Sequence, residues 1–205
     1  MLPKRRQALL GLPELRQFRK IMSFYLPRSF TVAQDPEFQM LLKQYPPEWM
    51  VASTRPRCEK KLNVFCEKFG FFSKLPTYPS VRKYPRKVVT FHKPLFPGYV
   101  FLNISPIVKQ ELYQSNFVAR IITAKNQDLF RKQLDDVLFA IDNGFSIQPA
   151  PDVVEGAKVR IKSGPMRGVE GYVQERKGVF QAILRIDFIK EAAMVTLNVD
   201  DLELA

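Results

Sequence analysis

Apolar side chains recur along this chain with two rhythms, every second residue or every three to four, and the change of rhythm marks its parts. Trp49–Thr54 reads as a strand. Cys58, Leu62, Phe65, Cys66 and Phe69 then follow at helical spacing, with Pro56 suited to a first helical turn and Gly70 as the stop. Phe71–Leu75 is a second strand, and Tyr78–Lys93 a basic hairpin or long loop with strand character at Val88–Phe91. From Gly98 the alternation is clear: Val100, Leu102 and Ile104 point one way, Tyr99 and Phe101 the other, with Phe96 just before them. Ser105-Pro106 opens a helix to about Ser115, Phe117–Thr123 is a buried strand, and Phe130, Leu134, Val137, Leu138 and Ile141 define a helix that Asn143-Gly144 ends. This order predicts an α+β domain over 49–144, an antiparallel sheet with helices on one face.

Residues 145–154, with Pro149 and Pro151, read as a linker. Beyond it the period is two: Lys158, Arg160 and Lys162 alternate with Val159 and Ile161, Ser163-Gly164-Pro165 turns, Val169–Val173 returns, and Lys177-Gly178 turns again. Ile183–Ile189 and Met194–Val199 complete a small all-β barrel over 155–205. Residues 1–48 read as a partly ordered extension, with weak helical periodicity over 13–26 and a short capped helix from Asp35 to Tyr45.

Composition changes this picture in one respect. With 46% hydrophobic and 25% charged residues the chain is ordinary, but a net charge of +12 over 205 residues points to a polyanionic partner, nucleic acid above all. The charge is uneven. Residues 49–150 carry sixteen basic and seven acidic side chains, a net of +9, and residues 151–205 carry eight and nine, a net of −1. Nucleic acid therefore belongs with the middle domain, and the near-neutral barrel suits a protein partner.

Several chemistries are poorly served. His92 is the one histidine, and no phosphate loop, dinucleotide fingerprint or metal-ligand spacing occurs, so neither an enzyme nor a cofactor is expected. Asp135-Asp136 and Asp200-Asp201 are adjacent pairs that point apart, as solvated surface does. Cys58 and Cys66 would lie roughly 12 Å apart on a helix, too far for a disulfide, and both fall on its apolar stripe. This usage fits the cytoplasm. No apolar run is long enough to span a bilayer, and the basic start Met1–Arg6 is followed by an apolar part broken at Gly11, Pro13, Glu14 and Arg16, which argues against export.

Lys93-Pro94-Leu95-Phe96-Pro97-Gly98-Tyr99-Val100-Phe101 is the most informative stretch. One apolar face suffices to anchor its strand, so the aromatic face is either a second buried face, as in a sheet covered on both sides, or a free surface. Together with Trp49-Met50-Val51, the basic helix after it, and Gly156-Ala157-Lys158-Val159-Arg160-Ile161-Lys162-Ser163-Gly164-Pro165-Met166-Arg167-Gly168-Val169-Glu170-Gly171, the stretch resembles the NusG family. These are bacterial transcription elongation factors with an N-terminal NGN domain and a C-terminal KOW (SH3-like) barrel. The segment Tyr84–Phe101 is most similar to specialised paralogues of the RfaH and UpxY type.

The resemblance implies antitermination: binding RNA polymerase, suppressing pausing, and recruiting a partner through the KOW domain. Phe96, Pro97, Tyr99 and Phe101 would meet the β′ clamp helices of the polymerase. Arg55, Arg57, Lys61 and Lys68 would lie along nontemplate or upstream DNA. Phe188 and Ile189 would contact a small-subunit ribosomal protein rather than the termination factor Rho, since an aliphatic residue stands where the housekeeping factor has a phenylalanine. At the positions that meet the β gate loop in RfaH, a His-Thr-Thr run is replaced by Gln110-Glu111-Leu112. The competing class is a KOW-bearing structural RNA-binding or ribosome-associated protein.

Overall fold

The computed structural model describes Met40 and residues 43–150, 156, 158–176, 179–196 and 202–204. The predicted arm up to residue 39, the Lys177-Gly178 turn, the strand end at 197–199 and the Asp200-Asp201 pair lie outside the described residues. In chain order the elements are β1 (Glu48–Thr54), α1 (Glu59–Lys68), β2 (Phe72–Lys74), β3 (Thr77–Tyr84), β4 (Lys87–Pro94), β5 (Tyr99–Ile104), a 3-10 turn (Pro106–Val108), α2 (Lys109–Gln114), β6 (Val118–Thr123), α3 (Gln127–Asp142), β7 (Ile147–Ala150), β8 (Lys158–Ile161), β9 (Glu170–Arg176), β10 (Val179–Ile186), β11 (Glu191–Thr196) and β12 (Leu202–Leu204). Among the described residues they make an α+β arrangement with few helices and three sheets, in two compact units: the described residues up to 73 with 100–122, and 74–99 with the described residues from 123 onward.

The first unit is built on a four-stranded sheet in the order β2-β5-β1-β6. Its inner strands are apolar on both faces: Met50, Val51 and Ala52 of β1 and Val100, Phe101 and Leu102 of β5 are all fully buried. Three consecutive buried residues leave no open face, since neighbouring side chains point to opposite sides. Helix α1 begins three residues later than Pro56 suggests. Pro56 and Arg57 form a turn instead, with Arg57 in the left-handed region at φ 61° and the Cys58 N–H bonded to the Arg55 carbonyl at 3.1 Å. The helix ends as predicted at Gly70, whose φ of 70° lets the Phe71 N–H return to the Cys66 carbonyl at 2.9 Å. The Ser105 hydroxyl accepts from the Ile107 N–H at 3.4 Å and donates to the Tyr45 carbonyl at 2.7 Å, so the predicted cap also tethers the segment before β1.

In the second unit, among the described residues, β3 and β4 pair only with each other, as a ribbon closed by Pro85 and Arg86. Helix α3 buries Phe130, Leu134, Val137 and Ala140 and packs on β10. At its end Gly144, φ 73°, donates to the Ile141 carbonyl and Phe145 to the Ala140 carbonyl, both at 3.0 Å. The remaining strands form a six-stranded sheet in the order β12-β8-β9-β10-β11-β7, paired antiparallel throughout. Val159 and Ile161 of β8 are buried between exposed Lys158 and Arg160, following the period-two pattern. The predicted linker is corrected over part of its length: Ile147–Ala150 is strand β7, held on β11 with Ile147 buried opposite Val195. Pro149 is accommodated because β7 is an edge strand, where a missing N–H costs no ladder bond.

Candidate functional site

The turn Phe96–Gly98 sets the entrance to β5. Gly98 sits at φ 84°, and the Tyr99 N–H closes back on the Phe96 carbonyl at 3.2 Å. Among the four aromatic-turn candidates Pro97 is exposed and Tyr99 half-buried, whereas Phe96 and Phe101 are 1% and 0% exposed. The expectation of a free aromatic face therefore fails at Phe96 and Phe101. Phe101 belongs to an inner strand whose neighbours in the chain, Val100 and Leu102, are buried as well, so the alternation reflects a strand covered on both sides.

The basic candidates Arg55, Arg57, Lys61 and Lys68 are all exposed. Arg55 and Arg57 flank Pro56 in the β1–α1 turn, which is held to the rest of its unit by the Arg55 N–H on the Phe117 carbonyl at 2.8 Å. Lys61 and Lys68 lie two turns apart on one face of α1, with exposed Val64 between them. The Lys68 ammonium also lies 5.8 Å from the centre of the Phe69 ring. Of the Gln110-Glu111-Leu112 run, Glu111 and Leu112 are buried, which leaves Gln110 as the residue presented to solvent.

Phe188 and Ile189 stand in the β10–β11 turn Asp187–Lys190, both half-buried, with Lys190 at φ 55°. Phe188 meets Phe130 of α3 edge-on, ring centres 5.9 Å apart and planes at 84°. Beside that contact Gln133 Nε2 donates to Asp187 Oδ2 at 2.7 Å, and the Asp187 N–H donates to Gln133 Oε1 at 3.1 Å. A cleft of about 230 Å³ opens next to these residues, lined among others by Lys132, Asp136, Lys158, Glu170 and Tyr172. Sequence reasoning missed this turn-on-helix contact, because nothing in the local pattern couples residues 54 positions apart.

The cleft also revises one acidic pair. Asp135 is solvated and in an ion pair with Arg131 at 3.5 Å, but Asp136 is half-buried. Burial pushes its carboxyl up to about 6; Lys132 opposes this, while Asp135 and Glu170 add to it. Glu170 is held down at about 2 by hydrogen bonds from Arg160, at 2.7 Å, and Lys158, at 2.9 Å. Both cysteines are thiols; Cys66 is buried, and burial pushes it up to about 11, so packing is its role. Among the described residues no cluster could hold a metal ion, and no helix is long and apolar enough to cross a membrane.

Residues 47–132 match the family model described as "Transcription termination factor nusG". Over this segment the chain is similar to that family. The matched segment takes in β1 to β6 and the start of α3, and so contains the aromatic turn and all four basic candidates. No curated protein matches the chain.

Proposed function

We propose that this chain is a transcription elongation and antitermination factor that docks on RNA polymerase through an NGN domain at 49–144 and recruits a further protein through a KOW barrel at 155–205. The observation that supports the reading is the match over 47–132 to the NusG family model, a family that generally interacts with RNA polymerase. Within it, Tyr99 and Pro97 are the side chains of the aromatic turn that reach solvent, and they take the contact to the β′ clamp helices. Phe96 and Phe101 are buried and belong to the core instead. Arg55, Arg57, Lys61 and Lys68, all solvated, supply the cations for nontemplate or upstream DNA. The likeness to RfaH and UpxY paralogues rests on Tyr84–Phe101, and Gln110, the remaining solvent-facing residue of its run, is the contact left for the β gate loop.

Co-purification tests the reading. Core RNA polymerase should be retained by the tagged chain at moderate salt. Sedimentation with a ribosomal subunit, and no retention of polymerase, would overturn it in favour of a ribosome-associated protein.

A further inference from the structure

Between Glu67 and Glu111 the chain has no Asp or Glu and eight Lys or Arg; four of these eight lie on β3 and β4 and a fifth, Arg86, in the turn that joins them. The ladder pairs Tyr84 with Lys87, Arg82 with Val89, Ser80 with Phe91, and Tyr78 with Lys93. Residues directly opposite across an antiparallel ladder share a face, as do residues two apart on one strand. One face of the ribbon therefore carries Tyr78, Arg82, Tyr84, Lys87, Phe91 and Lys93, with an ammonium directly across from each of the two tyrosines. The other face carries Val81, Lys83, Val88 and His92.

Among the described residues the outer part of this ribbon is open to solvent. Tyr84 is 45% and Phe91 42% exposed, and on the opposite face Val81 is 58% and Val88 64% exposed. Among the described residues none of the five cations is in an ion pair, and neither Tyr84 nor Phe91 stacks on another ring. A two-stranded ribbon is marginal in water by itself, and solvated rings on such an element are costly unless something covers them. Charge decides what: a surface with cations and no carboxylate fits a polyanion. The interleaving of rings and cations decides the form, because unpaired bases can stack on rings while their phosphates meet the neighbouring cations. A duplex hides its base faces and offers nothing to those rings.

We propose that the Tyr78–Lys93 face of the β3–β4 ribbon binds single-stranded nucleic acid, with Tyr84 and Phe91 as stacking platforms and Arg82, Lys87 and Lys93 on the phosphates. This goes beyond the polymerase reading and does not depend on it, since the ribbon's binding is measured with the full chain and an oligonucleotide alone.

Fluorescence anisotropy with labelled twelve-residue oligo(dT), oligo(U) and a duplex of the same length tests it. Oligo(dT) or oligo(U) should bind more tightly than the duplex at equal salt, and the two single strands report whether DNA or RNA is preferred. The variant Tyr84→Ala/Phe91→Ala should lose about tenfold or more for single strands and little for duplex. Arg82→Ala/Lys87→Ala should lower the salt slope by about 1.4, two cations at roughly 0.7 each for a single strand. All four side chains are solvated, so circular dichroism matching the parent is expected. Single-strand binding untouched by both variants, or an equal loss of duplex binding in Tyr84→Ala/Phe91→Ala, would overturn the proposal. Retention of polymerase by the same variants keeps this outcome distinct from that of the polymerase reading.

Discussion

Gln133 grips Asp187 from both ends of its amide, donating to the carboxylate at 2.7 Å and accepting from the backbone N–H at 3.1 Å. The pair joins α3 to the β10–β11 turn, beside the Phe130–Phe188 contact. A hydrogen bond to a charged group contributes more than a neutral one, but Asp187 is exposed and Gln133 only half-buried, so the lower end applies. Gln133→Ala should cost about 1 kcal/mol in urea unfolding. In a cycle with Asp187→Ala the coupling should be about 0.5 kcal/mol or more, and simple additivity would refute a direct link.

The cleft beside that pair predicts a pH effect. The folded-state value of Asp136, about 6, lies above its ordinary value of 3.8, so between the two the folded chain holds the proton more tightly. Stability then falls as pH rises through this window and levels off above it. Asp136→Asn should flatten the fall between pH 4 and 6.5. Glu170 has the opposite sign: its contribution is present above 4.5 and is lost as pH drops toward about 2. Thermal melts across pH 2 to 7 of the parent, Asp136→Asn and Glu170→Gln separate the two.

Tyr99 and Phe101 should behave differently although they stand on the same side of one strand. Tyr99 is half-buried; if it docks on the polymerase as proposed, Tyr99→Ala should weaken that binding by about 2 kcal/mol, near thirtyfold, with modest loss of stability. Phe101 is fully buried, and Phe101→Ala should cost about 3–5 kcal/mol in folding. Titration of each variant into labelled core polymerase, with chemical unfolding in parallel, distinguishes the roles. Unchanged binding by a folded Tyr99→Ala would remove that side chain from the docking surface.

Arg57 allows charge to be separated from backbone shape. Its φ of 61° is one that asparagine adopts more readily than most residues. Arg57→Asn should leave stability within about 0.5 kcal/mol of the parent, whereas β-branched Arg57→Val should lose about 1–2 kcal/mol. If Arg57 meets duplex DNA, Arg57→Asn should lower the salt slope of DNA binding by about 0.9. An unaltered slope would take Arg57 off the DNA path.

Local chemistry was legible in the sequence where one short signal sufficed. The Gly70 and Gly144 helix stops, the Ser105-Pro106 start and the alternation of Val159 and Ile161 all stand where their residues place them. What failed needed information about neighbours. An alternating strand looks the same whether its aromatic side faces water or a second layer, and Phe101 turned out to be covered. Pro149 reads as a linker residue until the strand it belongs to is known to be an edge. Pro56 fits a first helical turn equally well, and the left-handed Arg57 after it moved the start of α1. Asp136 looked like its solvated neighbour because burial by a distant element leaves no mark on adjacent residues.

Because β3 and β4 pair only with each other among the described residues, each presents an outer margin of N–H and C=O groups outside any ladder there. Such margins invite a foreign strand to zip on, and the lysines, arginines and prolines along this one, Pro79, Pro85 and Pro94 among them, are the usual guards against it. Replacing the cations wholesale would therefore do more than weaken a ligand: it would leave a tacky seam, and the first symptom would be turbidity in the tube.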